Sequence, residues 1–263
     1  MPSGIPTRRY GNATVSGRKM TDAQQQLLGL YNRFDGQPSL SKANGYADPT
    51  GVTGDINRAQ FRHFQTQYHV KGTQTLLGPL LDVDNGLDIS QDQTDNDGVE
   101  HLFGALGTYG QFTRATPTYD LLDLTLKIAD VSGTDDCCIG FRKNEAFAAN
   151  VDDYNDACWV NINLGDVLVE SMVGNAATVT TDSGLNWLDG ETHRVTVKVV
   201  GQQVVCLFDN VPLPGIPAYN FTAALVVAPF FFFLQATTTP GKVWWKSVQI
   251  GKSSETTSSG DNA

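Results

Sequence analysis

The sequence predicts an all-β chain: a sandwich of two antiparallel sheets, with an extended N-terminal arm and one short helix. Three observations predict it. Apolar residues alternate with polar ones at the period of two that a half-buried strand requires, as where Leu122, Leu124, Leu126 and Ile128 interleave with Asp123, Thr125 and Lys127. Turn residues recur every ~8–12 residues through the second half, the spacing of strands in a sandwich or barrel. The 263 residues are 40% hydrophobic and 10% aromatic, enough for one large core. Only 17% are charged, against roughly 25% in average usage.

Taken in order, residues 1–57 form the arm, the helix and a loop, residues 58–252 the sandwich, and residues 253–263 a flexible polar tail. The first twenty residues hold Arg8, Arg9, Arg18 and Lys19 and no acid, in a chain of formal net charge -10. Such a basic start reads as an arm that docks on an acidic neighbour. The one good helix signal is "TDAQQQLLGLYNRFDG", over about residues 22–35. Thr21 or Asp22 caps it, Leu27, Leu30, Tyr31 and Phe34 share a face, and Gly36 ends it. So short a helix is marginal until it packs on something. Residues 36–57 are rich in Gly, Pro, Asn and Asp and read as loop.

Strands follow. In "WVNINLG", Val160, Ile162 and Leu164 alternate with Asn161 and Asn163. Trp187 opens a "WLDGE" turn. The hairpin "HRVTVKVVGQQVVCLFDN" then turns Val195, Val197 and Val199 inward, bends at Gly201–Gln203 and returns through Val204–Phe208. "GKVWWKSVQIG" closes the domain.

The run "VVAPFFFFLQ" poses a burial problem. A strand sends Phe230 and Phe232 to one face and Phe231 and Phe233 to the other. Trp244 and Trp245 also point opposite ways, so two strands are apolar on both faces. Burying an aromatic is worth roughly 2–3 kcal/mol, so an open second face would be costly and sticky. The expected covers are the helix face of Leu27, Tyr31 and Phe34, another subunit, or both. Phe230, Phe232, Trp244 and Trp245 thus join Arg8, Arg9, Arg18, Lys19, Leu27, Tyr31 and Phe34 as an expected assembly surface of a homo-oligomer. The Phe strand should be central, since four Phe on an open edge invite aggregation.

Several classes are excluded. A chain this acidic does not suit non-specific nucleic-acid binding, which needs clustered Lys and Arg. No apolar run approaches the ~20 residues that span a bilayer, and the start lacks the apolar stretch of a secretory signal. Cys137, Cys138, Cys158 and Cys206 show neither CxxC spacing nor a disulfide framework, and are expected to be reduced, as in a cytoplasm. A Cys158 bridge to a strand neighbour is the alternative.

"WLDGETHRVTVKVVGQQVVCLFDNVPLP", the Phe strand and the last strand, with "FRKNEAF", "DDYNDACWVNINLGDVLVESMVGN" and "VTTDSGLNW" upstream, resemble the concanavalin A-like (laminin G-like) jelly roll over residues 75–251. The resemblance implies two curved antiparallel sheets and no particular function. In layout, a basic arm, a helix, a lectin-like sandwich and a Ser/Thr tail resemble tailed-phage virion proteins of the head-decoration (cement) or fibre type. That likeness implies a non-catalytic subunit made in the host cytoplasm, with copies of itself and a major capsid protein as partners. The alternative is a lectin-like module that binds cell-surface glycan.

Candidate chemistry is sparse. Asp82, Asp84, Asn85 and Asp88 have some of the oxygen spacing a Ca²⁺ loop needs but lack the closing acid of an EF-hand, and a solvated turn is the competing reading. No other cofactor is expected. Sugar sites stack exposed aromatics on apolar sugar faces; Tyr154 and Trp159 are the candidates. Glycoside hydrolysis needs two carboxyls ~5–10 Å apart. The Glu-x-Asp-x-(x)-Glu strand of jelly-roll glycosidases does not occur, and Glu170 and Glu191 stand alone, so no enzyme is expected. His63, His69, His101 and His193 fit no metal or triad spacing.

Overall fold

The structure is a computed structural model that describes residues 31–33, 57–60, 64–72, 80–82, 84–90, 94–105, 112–113, 120–200, 203–213, 215, 217–236 and 242–251. Its strands in chain order are β1 (Tyr31–Arg33), β2 (Asn57–Gln60), β3 (Phe64–Lys71), β4 (Leu80–Asp82), β5 (Gly86–Asp88), β6 (Gly98–Ala105), β7 (Phe112–Thr113), β8 (Leu121–Ile128), β9 (Thr134–Lys143), β10 (Ala157–Asn163), β11 (Asp166–Met172), β12 (Val179–Asn186), β13 (Thr192–Val200), β14 (Gln203–Phe208), β15 (Val211–Pro212), β16 (Val226–Gln235) and β17 (Val243–Gly251). Among the described residues no helix is long and apolar enough to cross a membrane.

The strands form two antiparallel sheets, the expected jelly-roll sandwich. An eight-stranded sheet runs β15-β14-β13-β8-β17-β5-β4, with β1 also on β17. A nine-stranded sheet runs β12-β11-β10-β9-β16-β6-β3-β2, with β7 also on β16. The predicted alternation holds in β8, where Leu122, Leu124, Leu126 and Ile128 are fully buried between the sheets. Val195, Val197 and Val199 meet them from β13, and Phe231, Phe233 and Trp245 from β16 and β17.

The helix expected over 22–35 does not extend through residues 31–33. Tyr31–Arg33 is a strand whose Tyr31 pairs with Gln249 and Arg33 with Ser247. β5 reaches only Trp244 and Trp245 on that side of β17, so β1 takes up backbone groups farther along the same edge, and those bonds outweigh a marginal helix. The rest of the expected helix, including Leu27 and Phe34, lies outside the described residues, as do Arg8, Arg9, Arg18 and Lys19. The side chain of Tyr31 does too.

β16 is central, between β9 and β6. Its second face is covered by other described residues of the chain. Phe230 and Phe232 are completely buried in a second apolar cluster with Leu102, Cys138, Trp159, Ala228 and Leu234, roofed by Val151 and Tyr154. The roof is the β9–β10 connection, residues 144–156. Gly140 makes room beneath it: it stands between Phe230 and Trp159 across two strands, and a Cβ there would come within 2.6 Å of the Trp159 backbone. The two rings meet edge to face over that gap, 6.4 Å apart. Cys137 and Cys138 point to opposite clusters, as alternation requires.

Candidate functional site

Beside the roof, the outer face of the nine-stranded sheet turns polar. The same alternation that buries Val160 and Ile162 of β10 sends Asn161 outward, and β9 and β11 present Asp136 and Glu170 on the same face. Asn161 stands between them. Its Nδ2 donates to Asp136 Oδ1 at 2.8 Å and to Glu170 Oε2 at 2.9 Å. Its Oδ1 accepts the Cys137 N–H at 3.0 Å, which fixes the orientation of the amide. Trp159 Nε1 donates to Glu170 Oε2 at 2.8 Å, and Thr180 Oγ1 of β12 donates to Glu170 Oε1 at 3.1 Å. Asn161 is buried, Asp136 and Glu170 are half-buried, and Thr180 is exposed. The row thus crosses four adjacent strands and opens outward at both carboxylates.

The electrostatics follow from burial and like charge. Burial pushes the Asp136 carboxyl up to about 6; the Asn161 hydrogen bond opposes this, and Glu170, Asp135 and Asp152 add to it.

A buried ion pair pins the roof over the neighbouring part of the sheet. Arg142 Nε and Nη2 donate to the two oxygens of Glu100 at 2.7 and 2.9 Å, with both side chains fully buried. Tyr154 Oη donates to Glu100 at 2.7 Å, and the guanidinium lies 4.1 Å from the centre of the Tyr154 ring. Arg142 Nη1 also donates to the carbonyls of Lys143 and Glu145 at the start of the roof. The pair thus holds residues 143–154 through Arg142 Nη1 and through the Glu100 oxygen that accepts from Tyr154.

Several sequence expectations change here. Tyr154 and Trp159 are 1% and 0% exposed, so neither is free to stack on a sugar; each turns its ring into the second core and its polar atom onto a carboxylate. Phe230 and Phe232 are core rather than assembly surface, and Trp245 belongs to the main core. Trp244 is 9% exposed and lies under Lys127, whose Nζ is 5.6 Å from its ring.

The Ca²⁺ candidates are served by lysines. Lys127 Nζ donates to Asn85 Oδ1 at 2.7 Å, Lys246 Nζ to the Asp84 carbonyl at 3.1 Å, and Lys242 Nζ pairs with Asp88 at 3.3 Å. Asp88 also accepts from Ser90 N and Oγ. Asp82 lies in β4, its side chain outside the description. Three ammonium groups at the turn disfavour a divalent cation. No group of three or more His, Cys, Asp or Glu among the described residues could hold a metal.

Neither glutamate stands alone. Glu170 joins Asp136 through Asn161. Glu191 accepts from His193 Nε2 at 2.9 Å while Asp209 takes Nδ1 at 2.7 Å. The His193 ring lies 4.7 Å from Trp187 and 4.6 Å from Phe208. Burial favours neutral His193, but the two carboxylate bonds outweigh it and raise the pKa above its ordinary value. His69 stacks on Phe147 of the roof, 4.9 Å away. His101 lies 4.8 Å from Trp245, with burial lowering its pKa to about 3. His63 is outside the described residues.

Sequence reasoning missed Asp136, Asn161 and Glu170 because they sit on three strands. Alternation in "WVNINLG" and "DVLVESM" was signal enough to put Asn161 and Glu170 on outer faces; the strand order that makes them neighbours was not in it.

No protein-family model matches the chain, and no curated protein does. Solved structures do match. The carbohydrate-binding module CBM66 from Bacillus subtilis is 10% identical, covering 62% of this chain and 88% of its own, with a TM-score of 0.41. The Emp47p carbohydrate recognition domain is 13% identical over 70% of this chain and 88% of its own, at 0.44. The Bacillus licheniformis β-glucanase is 7% identical over 84% and 97%, at 0.41.

Proposed function

We propose that the protein is a non-catalytic carbohydrate-binding module whose ligand lies on the outer face of the nine-stranded sheet, across Asp136, Asn161, Glu170 and Thr180. One observation carries this reading: a single amide holds two carboxylates side by side on an open sheet face. Asp136 and Glu170 both keep partial solvent access on that face. Two acceptors held at that spacing suit the adjacent hydroxyls of a sugar ring, each carboxylate taking one O–H in a charge-assisted bond. The carboxylates are positioned before ligand arrives, which lowers the ordering cost of binding. Asp135 and Asp152 add negative charge nearby, so a neutral glycan is favoured over one bearing carboxylate or sulfate.

The same geometry argues against hydrolysis. A retaining glycosidase keeps its two carboxyls ~5–5.5 Å apart with the scissile bond between them. Here the Asn161 nitrogen occupies that space and bonds to both. The assembly reading drew on Phe230 and Phe232 needing a partner, and described residues of the chain cover both; the N-terminal arm it also drew on lies outside the described residues.

The test is a glycan array probed with the full chain and with Glu170→Gln. Wild type should bind a set of neutral glycans that the variant binds weakly or not at all. Equal binding by both proteins, or binding confined to anionic glycans, would overturn the assignment.

A further inference from the structure

Tyr154 and Trp159 are turned into the second core, so neither ring is available for a sugar to stack on. Beside the carboxylate row the sheet presents Leu168 instead. Val167 and Val169 of β11 face the main core, so Leu168 between them points outward. It is half-buried and stands in register with Asn161 on β10 and Asp182 on β12. It therefore borders the row directly, two residues along β11 from Glu170, a step of about 7 Å.

The row is closed on its other side. Thr178 Oγ1 donates to Asp152 Oδ1 at 2.6 Å, the Gly174 N–H to Asp156 Oδ1 at 3.1 Å and the Asn175 N–H to the Asn155 carbonyl at 2.8 Å. These bonds tie the β11–β12 connection to the roof. They form a rim on the side of Glu170 away from Leu168, since Thr180 pairs with Glu170 and Asp182 with Leu168. A ligand seated on the two carboxylates extends away from the rim and over Leu168.

β12 is shaped to meet it. Its pairing with β11 passes from Leu168–Asp182 to Val167–Leu185, so Ser183 and Gly184 are extra residues in a bulge. Gly184 takes φ 72°, a left-handed turn that suits glycine. Ser183 is buried and its Oγ donates to the Val167 carbonyl. The Gly184 N–H donates to Asp182 Oδ1 at 2.8 Å, which holds the exposed Asp182 carboxylate at the level of Leu168.

We infer that Leu168 is the apolar platform under the glycan held by Asp136 and Glu170, and that Asp182 accepts a further hydroxyl from it. The inference rests on the reading that the row binds a neutral glycan, and it extends that site by two residues. The apolar C–H face of a sugar ring covers Leu168 and removes its side chain from water. Water excluded beneath the ring strengthens the hydroxyl bonds to the carboxylates around it. An aliphatic platform gives less contact than a flat aromatic ring, so selectivity comes from the arrangement of hydroxyls that Glu170 and Asp182 receive on either side of it.

The test is calorimetric titration of the full chain with the neutral glycan that wild type binds most tightly on an array. Leu168→Ser should weaken binding about five- to tenfold. It should also make the heat-capacity change of binding less negative, because less apolar surface is buried. Leu168→Met keeps an apolar cover of similar volume and should bind within about twofold of wild type. Asp182→Asn should weaken binding about three- to tenfold, through loss of a charge-assisted bond. If Leu168→Ser and Asp182→Asn bind as tightly as wild type while Glu170→Gln loses binding, the inference is overturned and the row still stands as the site. A Leu168→Met variant as weak as Leu168→Ser also overturns it. Undiminished binding by Glu170→Gln would overturn the reading of the row itself, and this inference with it.

Discussion

Replacing Asp136 by asparagine should stabilise the protein at neutral pH while weakening its proposed site. The carboxyl is half-buried among Glu170, Asp135 and Asp152, and its pKa rises from 3.8 to about 6. At 1.36 kcal/mol per unit, holding the ionised form there costs up to about 3 kcal/mol, less whatever solvent at the open face relieves. The sign follows from linkage. Between about pH 4 and 6 the folded protein binds this proton more tightly than the unfolded chain, so stability falls as pH rises through that window and the loss is complete above it. Asparagine carries no charge, keeps an oxygen for the Asn161 Nδ2 bond, and removes the dependence. Urea unfolding of both proteins across this range gives the readout. The two should be nearly equal near pH 4 and diverge to a gap of about 2–3 kcal/mol in favour of Asp136→Asn near pH 7.5. A constant gap across the range, or a variant less stable than wild type at pH 7.5, would refute the argument that burial beside like charges strains this carboxylate.

Other outcomes follow from the same structure. Arg142→Met should cost about 3–5 kcal/mol in denaturant unfolding because it strands the buried Glu100 charge, and adding Glu100→Leu should recover most of that loss. Phe232→Ala should cost about 3–5 kcal/mol through the cavity it leaves under the roof, with no change in solution molar mass by light scattering, since its cover belongs to the same chain. His193→Gln should destabilise near pH 6, where the imidazolium bridges Glu191 and Asp209, and much less near pH 9. The raised pKa gives stability that is full below the unfolded value and lost as pH climbs through the folded one.

Period-two patterns made the core legible: β8, the β13–β14 hairpin and the closing strand lie where alternation put them, and β10 does through Ile162, while Leu164, read as the next apolar residue of that strand, sits at φ 49° in the turn after it and is 57% exposed. The burial problem of Phe230–Phe233 was also legible, and correctly implied a central strand with both faces covered. Its solution was not, because nothing in the sequence of residues 144–156 marks them as a cover. Only the fold shows that Val151 and Tyr154 dip onto the sheet while Asp152 and Asp153 stay in solvent. The short helix signal lost Tyr31–Arg33 to an unfilled sheet edge, a tertiary demand that local propensity cannot register. The acidic turn at Asp84–Asp88 suggested a cation, and one is present in the form of lysine ammonium groups from β8, β17 and the residue before β17. Asp136, Asn161 and Glu170 were invisible as a group because 25 residues separate Asn161 from Asp136 and 9 from Glu170, so only strand order unites them.

The central claim is that a neutral glycan rests on the Asp136–Asn161–Glu170 row, and calorimetric titration of an array-selected glycan at two pH values tests it most directly. Wild type should bind with an affinity that falls as pH drops through about 6, where Asp136 protonates and loses its acceptor role, and Glu170→Gln should bind at least about tenfold more weakly at pH 7.5. An affinity that is flat from pH 5 to 7.5 and unchanged by Glu170→Gln would place the glycan elsewhere on the molecule and contradict the account.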